Sequence, residues 1–304
     1  MTEHAAESIA EAEIATNPEA LEHGSSLWKD AWYRLRRNRM AVISLFLVAL
    51  FATLAIITPW IAPYAFDQID FTQIGQGPSW QHWFGTDDLG RDLFTRCLFG
   101  LRISMAVGCV ATVVSLMIGV LWGATAGFVG GTLDYAMMRF VDIMYSLPYM
   151  FFVIILMTIF GRNIINLFLA LGAVQWLTMS RIVRGQVLSL RHKEFIEAAF
   201  SIGLRKRTII WRHIIPNTLG PVAIYMTLTI PRIILEEAFL SFLGLGVQAP
   251  MASLGSLTAD GAQAMDLYPW MIICPSLVMF LLLLALNFLG DGLRDALDPR
   301  MRKD

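Results

Sequence analysis

The chain has 304 residues, 56% of them hydrophobic and 15% charged, with a mean hydropathy of +0.59. That is too apolar for an ordinary soluble domain and reads as an integral membrane protein, while a net charge of −1 argues against a nucleic-acid partner. Three scattered cysteines, Cys97, Cys109 and Cys274, imply no disulfide framework, and five dispersed histidines offer no paired spacing for a metal.

Residues 1–26 carry six glutamates and no lysine or arginine, so they cannot be the basic start of a signal peptide and read as a mobile acidic tail. From 27 to 40 the character changes. Trp28, Trp32 and Leu35 fall at i, i+4, i+7 with Lys29, Arg34, Arg36, Arg37 and Arg39 around them, the composition of a helix lying in the headgroup region. The plainer alternative is that these charges only orient the span that follows.

The first span is expected from Ala41 to about Tyr64 and the second from Ile103 to about Phe128. Between them, residues 65–102 form the longest polar stretch, expected on the far side. Gly119, Gly123, Gly127 and Gly131 recur every four residues, which stacks small residues into one groove for a neighbouring helix. A substrate path lined by glycines is the less favoured reading.

Asp134 to Tyr145 reads as a short polar connection, Leu147 to Phe160 as the third span and Asn163 to about Thr178 as the fourth, after a tight turn at Gly161, Arg162 and Asn163. Thr218 to about Leu235 reads as a fifth span interrupted by Pro231, in which Arg232 and Glu236 can pair on one helix face. A second far-side loop runs from about Gly244 to Tyr268. Trp270 to Leu289 is the sixth span, with Pro275 bending it and Gly290 and Gly292 letting it break before Asp298 and Pro299. With this layout one side of the membrane receives 18 of the 23 lysines and arginines, which makes that side cytoplasmic and places both termini there.

The fourth and fifth spans are joined by a charged, amphipathic segment, residues 191–217. On a helix Ile196, Ala199, Phe200 and Gly203 make an apolar face, with Glu194, Glu197, Ser201 and Arg205 opposite. Gly203 stands where a C-terminal cap needs the left-handed conformation, and Leu204 to Ile215 reads as a second helical piece ending at Pro216. A helix, a bend and a helix on one side of a membrane have the form of a docking knob.

This segment resembles the EAA loop of ABC importer membrane subunits, through Glu197, Ala198, Ala199, Gly203, Ile215 and Pro216. His213 departs from the pattern, standing where the family has an apolar residue. The stretches 82–105, 138–156, 236–250 and 286–300 also look like the peptide branch of these permeases, and the third span followed by FGRN is most similar to the oligopeptide-transport C-type subunit. The resemblance implies an all-α membrane protein of six spans with type I ABC importer architecture, in which Phe195, Glu197, Ala198, Ala199, Gly203, Arg205 and Pro216 couple to a cytoplasmic ATPase. It implies a homologous second permease, two ATPase subunits that use ATP and Mg, and an extracytoplasmic peptide-binding protein. The turn formed by Gly85, Thr86, Asp87, Gly90, Arg91 and Asp92 is expected to be a far-side structural or docking element. There Asp87 and Asp88 accept amide hydrogen bonds at a helix start, and Asp92 pairs with Arg96.

The chain has no GxxxxGK[ST] loop to cradle nucleotide phosphates and no set of nucleophile, base and orienting group, so it is expected to bind no cofactor of its own. The main rival is a secondary transporter driven by an ion gradient, with Arg232 and Glu236 as its only ionisable candidates. An intramembrane hydrolase built on Asp134 and Asp142 is a weaker one.

Overall fold

The structure, a computed structural model, describes residues 27–297. The acidic stretch 1–26, the side chains of Trp28 and Lys29, and the Asp298 and Pro299 terminator lie outside the described residues. Among the described residues all regular structure is helical, save one isolated antiparallel bridge between Thr86 and Asp92.

Helix α1, Leu27–Arg37, lies against the end of the last helix, with Leu35 buried among Ala41 and Ala296 while Trp32 stays half exposed under the Arg36 guanidinium, 4.9 Å above its ring. One face in contact and one face aromatic and basic suits a bilayer surface. Asn38 ends α1 and caps α2, Arg39–Ile61, accepting from the Ala41 amide at 3.3 Å. Helix α3, Leu93–Val129, starts ten residues before the expected span because the far-side turn feeds straight into it; at 1.5 Å per residue it is about 55 Å long, well over a bilayer.

The expected polar connection at Asp134–Tyr145 is instead a helix, α4, Gly131–Ser146. It meets α5, Tyr149–Phe160, at an angle of 85°. Pro148 is the cause: its ring excludes helical backbone from Leu147, which is extended at φ −82, ψ 132. Helix α5 covers only about 18 Å, so among the described residues five helices are long enough to cross a membrane and a sixth crossing requires the bent α4–α5 pair to act as one.

Helix α6, Ile164–Leu190, is capped by Asn163, which accepts from the Asn166 amide at 2.8 Å, and runs on past Thr178 to Leu190. After the short α7, Glu194–Ser201, the chain enters α8, Lys206–Phe242. The sequence placed a helix end at Pro216 and an interruption at Pro231, and neither is present. A π-turn over Ile210–Ile214, closed by the Ile215 amide on the Ile210 carbonyl, sits just before Pro216 and absorbs the missing donor. Asn217 Nδ2 then bonds to the His213 carbonyl at 2.6 Å, and Thr229 Oγ1, two residues before Pro231, to the Tyr225 carbonyl at 2.8 Å.

The second far-side loop contains a helix, α9, Leu254–Gln263, opened by a reciprocal Ser253–Ser256 capping box. The last helix, α10, Trp270–Leu297, runs unbroken through Pro275, Gly290 and Gly292. Those glycines do not break it; a side chain on Gly290 would come within 2.7 Å of Leu228, and Gly292 abuts Ala41.

The centre of the bundle is the α3–α6 pair. A Cβ on Gly119 would meet Met179 at 2.6 Å, one on Gly127 the Arg184 carbonyl at 3.0 Å, and one on Gly123 the Ser180 carbonyl, so the three glycines let two backbones touch. Gly131 departs from the stripe: nothing lies within 4 Å of it, and its φ of +61 serves the turn between α3 and α4.

Candidate functional site: an elbow at one end, a clamped turn at the other

At one end of the bundle, α7 is held by two residues. Ile196 and Ala199 are buried in a cluster with Val187, Ile209 and Ile214, and Phe200 stacks on Phe128 with ring centroids 5.7 Å apart and planes 4° apart. Glu194, Phe195, Glu197, Ala198 and Ser201 face outward. The helix closes with a Schellman arrangement: the Gly203 amide bonds to the Phe200 carbonyl at 2.9 Å and the Leu204 amide to the Ala199 carbonyl at 3.2 Å, with Gly203 at φ +80. Gly203 therefore belongs to the turn rather than to the apolar face, and a Cβ added there would meet nothing within 4 Å. Arg205 is exposed in extended backbone at the start of α8, its carbonyl accepting from Ile209 at 3.1 Å, and Pro216 is exposed just past the π-turn. The arrangement is a short helix with a free acidic and aromatic face, fixed at its root to the bundle.

At the opposite end the chain before α3 folds into a turn that consumes its own polar groups. The fully buried Asp87 accepts from the Leu89 and Arg91 amides, both at 2.9 Å, and pairs with Arg91 Nε at 2.7 Å and Arg96 Nη1 at 2.5 Å. Asp92 caps α3 through the Thr95 amide at 2.7 Å and holds His82 Nδ1 at 2.8 Å. The expected Asp92–Arg96 pair is thus replaced by Asp87–Arg96, because the cap turns Asp92 toward the helix start. Asp88 does not cap; its carboxylate is 61% exposed, with Arg91 at 4.0 Å. Gly85 (φ +77) and Gly90 (φ +74) allow the close approach of Gln76 and Asp70 backbone, and Trp270 Nε1 donates to the Thr86 carbonyl at 3.1 Å. Asp70 accepts from the Thr72 hydroxyl and amide, which hold its carboxyl below its ordinary value.

Between the two ends lies a polar seam that the sequence revealed only in part. Arg232 Nε reaches Glu236 at 3.1 Å, as the four-residue spacing predicts, but Glu236 is also gripped by Gln175 Nε2 at 2.8 and 2.7 Å from α6. Its neighbour Glu237 is fully buried and accepts from Ser241 at 2.8 Å and Ser253 at 2.6 Å, tying α8 to α9. Further along, Tyr145 bonds to Thr178, Arg181 to Asp142 at 2.6 Å, and Arg184 grips Asp134 through two bonds of 2.6 and 2.7 Å. Asp134 and Asp142 are each matched to an arginine across helices, Arg184 and Arg181, rather than to one another. Among the described residues no group of three or more His, Cys, Asp or Glu side chains gathers around a point.

An all-helical bundle with several membrane-length helices, jointed at one end and clamped at the other, is the framework of a membrane permease. The chain belongs to the family of binding-protein-dependent transport system inner membrane components, which its residues 119–303 match; residues 26–78 match the N-terminal transmembrane domain of oligopeptide transport permease C. It is 50% identical over 281 residues to the oligopeptide transport system permease protein OppC of Haemophilus influenzae, covering 92% of this chain and 90% of that one. It is 47% identical over 281 residues to OppC of Escherichia coli, 92% and 93% of the two chains, and 42% identical to the dipeptide transport system permease protein DppC of Bacillus subtilis, 91% and 87%. A solved structure of the MetNI methionine ABC transporter, described as inward facing, superposes with a TM-score of 0.52 at 17% identity, covering 67% of this chain and 96% of the other. The fold is that of a type I ABC importer permease, and the protein is a multi-pass component of the inner membrane.

Proposed function

We propose that this chain is the membrane-spanning permease subunit of an ATP-driven importer that moves peptides, oligopeptides foremost, into the cytoplasm. The observation that carries the proposal is the elbow: α7 presents Phe195, Glu197 and Ala198 outward, while Ile196 and Ala199 root it in the core of α3, α6 and α8. A force applied to the exposed face reaches three long helices through direct contact. The charge bias that places 18 of 23 lysines and arginines at the elbow's end supports a cytoplasmic position for it and for both termini. The peptide cargo is supported by the names of the relatives that are alike over nine-tenths of the chain.

In this reading a second, homologous permease encloses the pathway. Two cytoplasmic ATPase subunits, using ATP and Mg, receive the elbow around Glu197, Gly203 and Arg205, and an extracytoplasmic binding protein delivers peptide to the end that carries the Asp87 turn. ATP-driven closure of the ATPases brings the two elbows together and tilts the helices rooted to them. This chain supplies shape and leverage and no chemistry.

The test is Glu197→Lys, an exposed substitution that leaves the buried root of α7 intact. ATP-dependent peptide uptake by the complex in proteoliposomes is expected to fall at least tenfold, with loss of ATPase co-purification. Uptake that survives this substitution and ATP depletion but stops with an uncoupler refutes the proposal in favour of an ion-driven carrier.

A further inference from the structure

Arg232 lies within a membrane-length helix, yet its side chain is 55% exposed on the surface of the bundle. A guanidinium facing lipid at that position is costly, and arginines in spans face a wet cavity or a partner. The neighbours indicate which. Tyr149 and Tyr225 both lie within electrostatic reach of Arg232, which puts two hydroxyls on the wall beside it. The same wall continues through Tyr145, Thr178 and the Arg181–Asp142 pair, both of whose members are about half exposed. It ends in a cleft of about 230 Å³ beside Asp134 and Arg184. Tyr145 and Tyr149 stand on either side of the 85° bend between α4 and α5.

Only Nε of Arg232 is engaged among the described residues, and its partner Glu236 is itself fixed by two bonds from Gln175. The two terminal nitrogens make no hydrogen bond among the described residues, and on a side chain 55% exposed they form the fork that matches a carboxylate. Resting on the reading of the chain as a peptide permease, we infer that Arg232 is a carboxylate-reading contact in the translocation pathway, oriented by Glu236 and Gln175, which takes the C-terminal or side-chain carboxylate of a passing peptide. The Glu236 charge beside it keeps the site weak, so a peptide can leave as readily as it arrives.

The test uses the complete transporter in proteoliposomes and three peptides of one sequence: the free acid, the C-terminal amide, and the amide with one interior aspartate. The ratio of free-acid to amide uptake is measured for the native chain and for Arg232→Gln, so that the selectivity of the external binding protein cancels. The ratio is expected to fall about tenfold in Arg232→Gln and to be kept only in part in Arg232→Lys, which retains the charge but not the fork. If the aspartate peptide loses uptake with the free acid, the site reads any carboxylate; if only the free acid does, it reads the terminus. An unchanged ratio overturns the inference, as does an equal loss for all three peptides, which makes Arg232 a contact with the partner subunit. If Arg232→Gln does not assemble, a free-acid peptide with a photoreactive last residue is used on the native complex. Adducts on Tyr149 or within 225–236 support the site, and adducts confined elsewhere overturn it. A native complex that transports none of the peptides with ATP defeats the proposed function, whereas one that transports them without regard to residue 232 defeats only this site.

Discussion

Ile196 is the residue whose loss separates leverage from folding. Its side chain is fully buried where α7 meets the bundle. Ile196→Ala removes three carbons, worth about 2.4 kcal/mol in transfer free energy, and the cavity left behind brings the cost to roughly 3–4 kcal/mol. An eight-residue helix has little stability of its own, so the cost falls on the docking of α7 rather than on the fold. Three kcal/mol is about two orders of magnitude in the ratio of docked to undocked elbow. Hydrogen exchange of the assembled transporter reads this directly: the Leu204 amide, bonded to the Ala199 carbonyl, is expected to exchange about a hundredfold faster, with peptide uptake per ATP falling in parallel. Unchanged exchange at Leu204 together with unchanged coupling refutes the idea that this side chain anchors the elbow. A collapse of the whole chain's thermal midpoint refutes the assignment of the cost to α7 alone.

Gly123→Ala forces a methyl into the Ser180 carbonyl and lowers the thermal midpoint of the purified chain, whereas Gly185→Ala, a helical position with nothing within 4 Å, leaves it unchanged or raises it by up to about 1 kcal/mol equivalent; equal effects exclude close backbone contact as the role of Gly123. Asp87→Asn strips the buried Arg96 of its charge partner and destabilises the far-side turn by about 3–5 kcal/mol, read as protease sensitivity between residues 80 and 96. Resistance equal to the native chain shows that this carboxylate is not the organiser of the turn. Thr72→Val removes a hydrogen bond that depresses the Asp70 carboxyl, so its titration midpoint rises toward the ordinary 3.8. Because the folded value is the lower one, the contribution of this carboxylate is present above 3.8 and lost as pH falls through the folded value; a midpoint that does not move excludes Thr72 as the cause.

The spans were legible because twenty apolar residues in a row have few other destinations, and Arg232 with Glu236 was legible because four residues make a helical turn. What stayed hidden depends on partners distant in sequence. Gln175 holds Glu236 from 61 residues away, and no local spacing announces it. Asp87 and Asp92 exchanged their expected roles because the Thr95 amide and the ring of His82 take one Asp92 oxygen each, which leaves Arg96 to Asp87. Proline misled twice in α8, where the sequence sees a missing donor but not the π-turn before Pro216 or the side-chain bonds of Asn217 and Thr229 to nearby helix carbonyls. It misled in the other direction at Pro148, where a sharp corner divides what hydropathy reads as a polar linker and a span.

The bond from Trp270 to the Thr86 carbonyl fastens the starts of α3 and α10 to one rigid knot. Helices pinned there can spread only at their other tips, as the ribs of a fan do, and the bonding of Glu237 to Ser253 adds α8 to the same rivet. Under the proposed function, a push arriving at the far tips moves those tips most and dies away toward the pin, so the surface there keeps its shape.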